Sequence, residues 1–323
     1  MCGRKLFFSR ERRAREVCVC GRNSLVSCAV GEGEQGERGH CALSSQLFSD
    51  STGIQASVKP MTRTVTLVGT LSLLASPTLA STLKSASEYL MLNRRSTMDS
   101  ALSEAYFSQH AAFALDVRRS APWEVSDAIF EEYVLPHCVL DEPRRESSDL
   151  QVRQRLRRLC LPLVADASTP LESAMLLNEK IWSELNVTFQ PNMSPMYLSP
   201  EDVLNQGAAS CSGLSIVAID CCRAVGVPAR AVGVADWGGG EGNHVWFEVW
   251  SQGAWHYLGA AEPTAANATW FTERLQQAEG PTVLASVFSR GAHEQCQWFP
   301  LPWRADDNNE CHAVEVTQRY RGM

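Results

Sequence analysis

The stretch GAASCSGLSIVAIDCCRAVGVPARAVGV, residues 207–234, sets Cys211 between two serines at the head of an apolar run. The run reads as a helix from Cys211 or Ser212 to Val225, stopped by Gly226 and Pro228. A thiol is a strong nucleophile when ionised, and a helix N-terminus favours the thiolate through its partial positive charge and free N–H groups. Cys221 and Cys222 lie near the other end of that helix, where the dipole opposes ionisation, and read as packing or disulfide residues. A nucleophile needs a base, and His244 opens HVWFEVW after the glycine-rich GGGEGN. On a strand its side chain shares a face with Trp246 and Glu248, while Val245, Phe247 and Val249 point the other way. His256 sits mid-strand and His110 and His137 lie among helices, so these three read as structural. Cysteine at a helix start, histidine at a strand start and an acid beyond the next strand follow the logic of thiol acyl transfer.

Positioning these residues calls for helices first and strands second. From Ser81 to Leu185 apolar residues recur at three- and four-residue intervals, broken by Pro136, Pro143 and the polar loop DEPRRESSD. Ser168 or Thr169 before Pro170, and Ser199 before Pro200, are helix start signals. After the Cys211 helix come three β-like runs, ARAVGV, HVWFEVW and AWHYLGA. One helix followed by antiparallel strands predicts an α+β core with the helix packed on the sheet. Beyond Phe271 the periodicity fades, with a possible short strand near the C-terminus.

SCSGLS, RAVGVPARAVG, GNHVWFEVW and GAWHYLGAAEP together resemble the transglutaminase-like superfamily, a branch of the papain-like cysteine enzymes. The resemblance covers about residues 170–275. It implies a papain-like fold, Cys211 as nucleophile, His244 as base, and thiol chemistry on peptide or isopeptide amides without metal or organic cofactor. Hydrolysis is expected over cross-linking, with a protein or peptide as substrate. The third member departs from the pattern: where the family has Asp shortly after its Trp strand, this chain has Gly259, and the first acid is Glu262, followed by Pro263. Either Glu262 stands in for the Asp, or the acid is lost and the domain is a scaffold that binds proteins or cell-wall polymers. The backbone N–H of Cys211 and a second donor would form an oxyanion hole; Gln206 is a candidate by analogy with papain-like enzymes. Arg230 reads as a structural ion-pair partner, and Trp237, Trp246, Trp250 and Trp255 as core or cleft walls.

The formal charge is −7 over 323 residues. Residues 1–60 carry nine Lys/Arg against six Asp/Glu and 61–80 add Arg63, which leaves −11 on residues 81–323. An acidic body argues against nucleic acid as a partner. MTRTVTLVGTLSLLASPTLA, residues 61–80, has the layout of a signal peptide cleaved after Ala80, with an apolar stretch too short to span a bilayer. Met61 is therefore expected as the start and residues 1–60 as a non-native or disordered extension; Cys18, Cys20, Cys28, His40 and Cys41 there lack the spacing of a zinc site. The expected layout is a helical region over 81–165, a transglutaminase-like domain over 166–290 and a C-terminal tail over 291–323. The protein is expected to be secreted or periplasmic, with no stable membrane span after cleavage. Seven cysteines then remain, an odd number that leaves one thiol unpaired in an oxidising compartment. Asn186, Asn192 and Asn267 each fit N-x-S/T, which matters only in a glycosylating host.

Overall fold

The described residues open with five helices: α1 (Pro77–Leu92), α2 (Glu104–Ser120), α3 (Asp127–Tyr133), α4 (Asp149–Leu163) and α5 (Pro170–Leu185). Two short parallel strands, β1 (Thr188–Phe189) and β2 (Ala208–Ala209), flank α6 (Pro200–Gln206) and lead into α7 (Cys211–Ala224). The antiparallel part follows as β3 (Ala229–Val234), β4 (His244–Ser251) and β5 (Ala254–Leu258). Then come α8 (Thr272–Leu275), β6 (Leu284–Ser286), β7 (Gln297–Trp298), β8 (His312–Glu315) and α9 (Thr317–Arg321). This computed structural model describes residues 77–323 except 194–197, 238–241, 263, 277–279, 290, 292–295 and 302–308. The 1–60 extension, most of the 61–80 leader, most of GGGEGN and Pro263 lie outside the described residues.

The helix boundaries follow local chemistry. Thr169 Oγ1 accepts from Glu172 N at 3.1 Å and caps α5, with Pro170 at its first position. Ser199 and Asp202 form a reciprocal capping box at the start of α6. Gly207 ends α6 at φ 67° and Gly226 follows α7 at φ 86°, left-handed turns that glycine makes without strain. The three N-x-S/T asparagines also have positive φ, and Asn186 is the C-cap of α5, so each has a turn to make.

Six strands form one sheet in the order β5-β4-β3-β6-β8-β7, with every neighbouring pair antiparallel. All six residues of β3 are buried. The alternation of β4 divides the core as its sequence predicts. Val245, Phe247 and Val249 join Leu214, Val217 and Ala218 of α7 on one face, while Trp246 joins Tyr257, Phe271 and Tyr320 on the other. Arg230 and Glu248, opposite in the β3–β4 register, pair at 2.9 Å while fully enclosed. Arg230 also lies 3.9 Å over Trp255, so its structural reading holds.

Two expected boundaries do not match the packing. Leu156 and Cys160 of α4 share a core with α7 and β4, so the division at 165 cuts through one hydrophobic cluster. The expected tail, 291–323, supplies β7 and β8 to the sheet, and its Tyr320 is buried against Trp246. These segments carry little periodicity because each strand is only two to four residues long. Among the described residues no helix is long and apolar enough to cross a membrane.

Candidate active site

Cys211 is the first residue of α7, and Ser210 before it has extended backbone (ψ 175°) and gives no side-chain cap. The N–H groups of that first turn are thus not claimed by a cap and face the thiol end of the helix. Helix and strand are held together here, because Ser215 Oγ donates to the carbonyl of Val245 at 3.2 Å. Strand β4 opens at His244, so its ring meets the start of α7. The Cys211 thiol is hydrogen-bonded to that ring and receives a further bond from the Val245 backbone. Burial pushes the Cys211 pKa up, but its bonds to His244 and the imidazole charge outweigh this and lower it. Burial pulls His244 down, yet Cys211 and Glu262 together hold it up at about 9. Each shift favours the charged form of its group, thiolate on Cys211 and imidazolium on His244.

Glu262 stands on the far side of the ring. Its Oε1 lies 3.5 Å from His244 Nε2, an ion-pair distance at which the hydrogen-bond geometry is poor, so Nε2 is left without a well-formed hydrogen bond. The ring's other nitrogen is then left for the thiol. Glu262 is partly desolvated, which raises its pKa, but its ion-pair contact with His244 and hydrogen bonds from Tyr257 and Trp270 bring it below the ordinary carboxylate value. Tyr257 donates to Oε2 at 2.7 Å and Trp270 Nε1 to Oε1 at 3.3 Å. Gly259, where the resembled family has its Asp, explains how the shifted acid fits. A Cβ on Gly259 would overlap the Glu262 carboxylate and stand 2.8 Å from the Glu262 Cβ. The carboxylate thus fills the space a side chain at 259 would need.

The three expected residues are brought together; other expectations need amendment. Gln206, the candidate oxyanion donor, is the last residue of α6 and is exposed. All seven cysteines from Cys138 onward are free thiols, where the odd count left one unpaired. Of the four tryptophans read as walls, Trp237 and Trp246 flank the His244 ring at 6.2 and 5.6 Å, while Trp250 and Trp255 pack on each other at 5.4 Å. Three site residues escaped the sequence reading: Trp270, more than half exposed with its ring 5.3 Å from His244; Tyr257; and Asn178 on α5, whose side chain bonds the 259–262 loop. Tyr257 alternates in register with the strand face of Glu248 and could have been found so; Trp270 and Asn178 carry no local signal.

A second Cys–His–acid grouping lies inside the helical part. Arg95 Nη1 donates to Cys138 Sγ at 3.2 Å, and His137 Nε2 lies 3.2 Å from Asp99 Oδ2. Burial raises the Cys138 pKa, but Arg144, Arg95 and His137 bring it down to about 6. Cys138 is only 2% exposed, so no macromolecular substrate reaches it. Among the described residues no group of three or more His, Cys, Asp or Glu could hold a metal. A cleft of about 780 Å³ runs between α5 and the segment after β5, lined by Leu171, Leu176, Asn178, Trp182, Ala261 and Glu262 among others. It touches the acid from behind and is not lined by Cys211 or His244.

Residues 157–260 match the model of the transglutaminase-like superfamily, a span that includes α5, α7 and strands β3 to β5. Among solved structures, one described as a candidate cysteine protease from Cytophaga hutchinsonii is similar at 18% identity and a TM-score of 0.30. The alignment covers 51% of this chain and 58% of that one, so it spans little more than half of the relative's length. No curated protein matches the chain.

Proposed function

From the transglutaminase-like domain that residues 157–260 carry, we propose that this chain is an exported cysteine enzyme that hydrolyses peptide or isopeptide amides. The observation that supports this most is the line Cys211–His244–Glu262, with the Glu262 carboxylate filling the side-chain space at Gly259. In the proposed reaction the Cys211 thiolate attacks the amide carbonyl, forming a C–S bond and a tetrahedral oxyanion. Backbone N–H groups at the start of α7 stabilise that oxyanion. The His244 imidazolium then gives its proton to the departing amine as the C–N bond breaks, leaving a thioester on Cys211. Neutral His244 next takes a proton from water, whose oxygen attacks the thioester and releases the acid and the thiolate. Glu262 stabilises the imidazolium and fixes the ring throughout.

The alternative of a scaffold with a lost acid rested on Gly259, and the Glu262 carboxylate in that space weighs against it. The test needs no substrate. One equivalent of iodoacetamide near neutral pH should alkylate Cys211 ahead of the other thiols, mapped by peptide mass spectrometry, and peptide or isopeptide hydrolysis should vanish on that modification. Alkylation of Cys211 no faster than of partly exposed Cys296 speaks for the scaffold.

A further inference from the structure

The displaced acid rides on a loop that its own strand does not hold. Gly259 follows β5, Ala261 is at φ 61°, a left-handed conformation uncommon for alanine, and Glu262 N donates back to Gly259 O at 3.0 Å. A tight turn of this kind, costing strain at Ala261, persists only if neighbouring structure over-determines it. One side chain does so. Asn178, in the middle of α5, donates from Nδ2 to Gly259 O at 2.8 Å and to Glu262 O at 3.3 Å. Its Oδ1 accepts from Ala261 N at 3.0 Å. A single amide thus binds the backbone at three of the four residues that set where the Glu262 carboxylate stands. Trp182, one turn further along α5, donates from Nε1 to the same Oδ1 at 3.2 Å and so fixes which end of the amide faces which partner.

We infer that Asn178 is a positioning residue for the acid: it clamps the Gly259–Glu262 turn so that the carboxylate falls behind His244. The inference rests on the proposed thiol chemistry and extends it from the reacting groups to the helix that aligns them. No other residue type of this size offers a donor and an acceptor in one planar group, and both are used here. Alanine would free the turn. Aspartate would keep the acceptor for Ala261 N but turn an anion toward the carbonyls of Gly259 and Glu262.

The test follows the alkylation rate of Cys211 by iodoacetamide against pH, read by peptide mapping on the full chain. In the wild type the thiolate inflection should lie below that of an ordinary thiol. Asn178→Ala and Asn178→Asp should both move it upward and slow alkylation at pH 6.5 by about five- to tenfold, as Glu262→Gln does. In a Glu262→Gln background, Asn178→Ala should change the rate less than about twofold, because the clamp then has no charge to aim. A merely structural asparagine gives the same loss in both backgrounds, and that result overturns the inference. So does an unmoved inflection in either variant with the melting temperature kept; the aspartate variant carries the test where alanine fails to fold. A wild-type profile like that of an ordinary thiol sinks the functional reading and this inference with it, whereas a low wild-type inflection with unmoved variants sinks the inference alone.

Discussion

Acidity alone does not mark a nucleophile in this protein. Cys138 is held at about 6 by two arginines and a histidine yet is sealed in the helical layer, whereas Cys211 is accessible at a helix start beside a base. Cys211→Ala should abolish hydrolysis and leave the fold intact, since the thiol sits at the edge of the packing; surviving turnover would refute the assignment. Cys221→Ala or Cys222→Ala, each at a fully buried position on α7, should instead cost about 1–3 kcal/mol in denaturant unfolding and spare the active thiol. The acid gives the sharper test. Glu262→Gln keeps the shape but removes the charge behind the imidazolium, so the rate should fall roughly 10²-fold with little change in melting temperature. Because Glu262 fills the space at 259, Gly259→Asp should disrupt the wild type but recover part of the activity lost in Glu262→Ala. A Gly259→Asp/Glu262→Ala double variant no better than Glu262→Ala would mean that the two positions do not share one place behind the ring.

At the level of elements, β4 does two jobs with one alternation. Its α7-facing residues build the core that seats the helix begun by Cys211, and its other face carries His244, Trp246 and Glu248. Glu248 is fully buried, and Arg230, Arg319 and Tyr320 surround its carboxylate. Tyr320, on the last helix, donates to Glu248 Oε1 at 2.5 Å and accepts from Trp246 Nε1 at 2.6 Å, so α9 is fastened to the strand that His244 begins. Removing one partner of a buried charged network leaves the rest under-satisfied. Tyr320→Phe should therefore destabilise the protein by about 1–3 kcal/mol, lowering the melting temperature, while the Cys211 alkylation profile at moderate temperature stays as in the wild type. No loss of stability would mean that water replaces the hydroxyl.

For the molecule as a whole, activity should follow a bell in pH. As pH falls through the lowered pKa of Cys211 the thiolate is protonated and attack stops; as pH rises through about 9 His244 loses the proton that the leaving amine needs. These inflections belong to the coupled pair and not to either residue alone. Glu262→Gln should move the alkaline limb to lower pH, because the carboxylate favours the charged ring; an unmoved limb would separate Glu262 from His244 functionally. The proposal of export has its own check. Helix α1 runs without a break from Pro77 to Leu92, and Ala86 and Leu90, which pack it into the helical core, lie beyond Ala80. Cleavage after Ala80 would keep those contacts, so secreted material should begin at Ser81 on N-terminal sequencing; a mature protein retaining residues 1–60 would overturn this.

What the sequence determined by itself was local. The helix beginning at Cys211, the glycine that ends it, the caps at Thr169 and Ser199 and the two-residue alternation of β4 depend on neighbours a few residues apart, where propensity and periodicity are legible. Arg230 read as an ion-pair residue from its sequence, but its partner Glu248 on the next strand did not. Tertiary structure alone decided the rest. Glu262 reaches His244 because the space at Gly259 is empty and because Asn178, more than eighty residues earlier in the chain, bends the loop that carries it. Trp270 covers the ring from a segment with no repeat, and the C-terminal strands join the sheet although each is too short to show a period. Contacts between distant segments depend on volume and hydrogen bonds in three dimensions, and no window along the chain contains both partners at once.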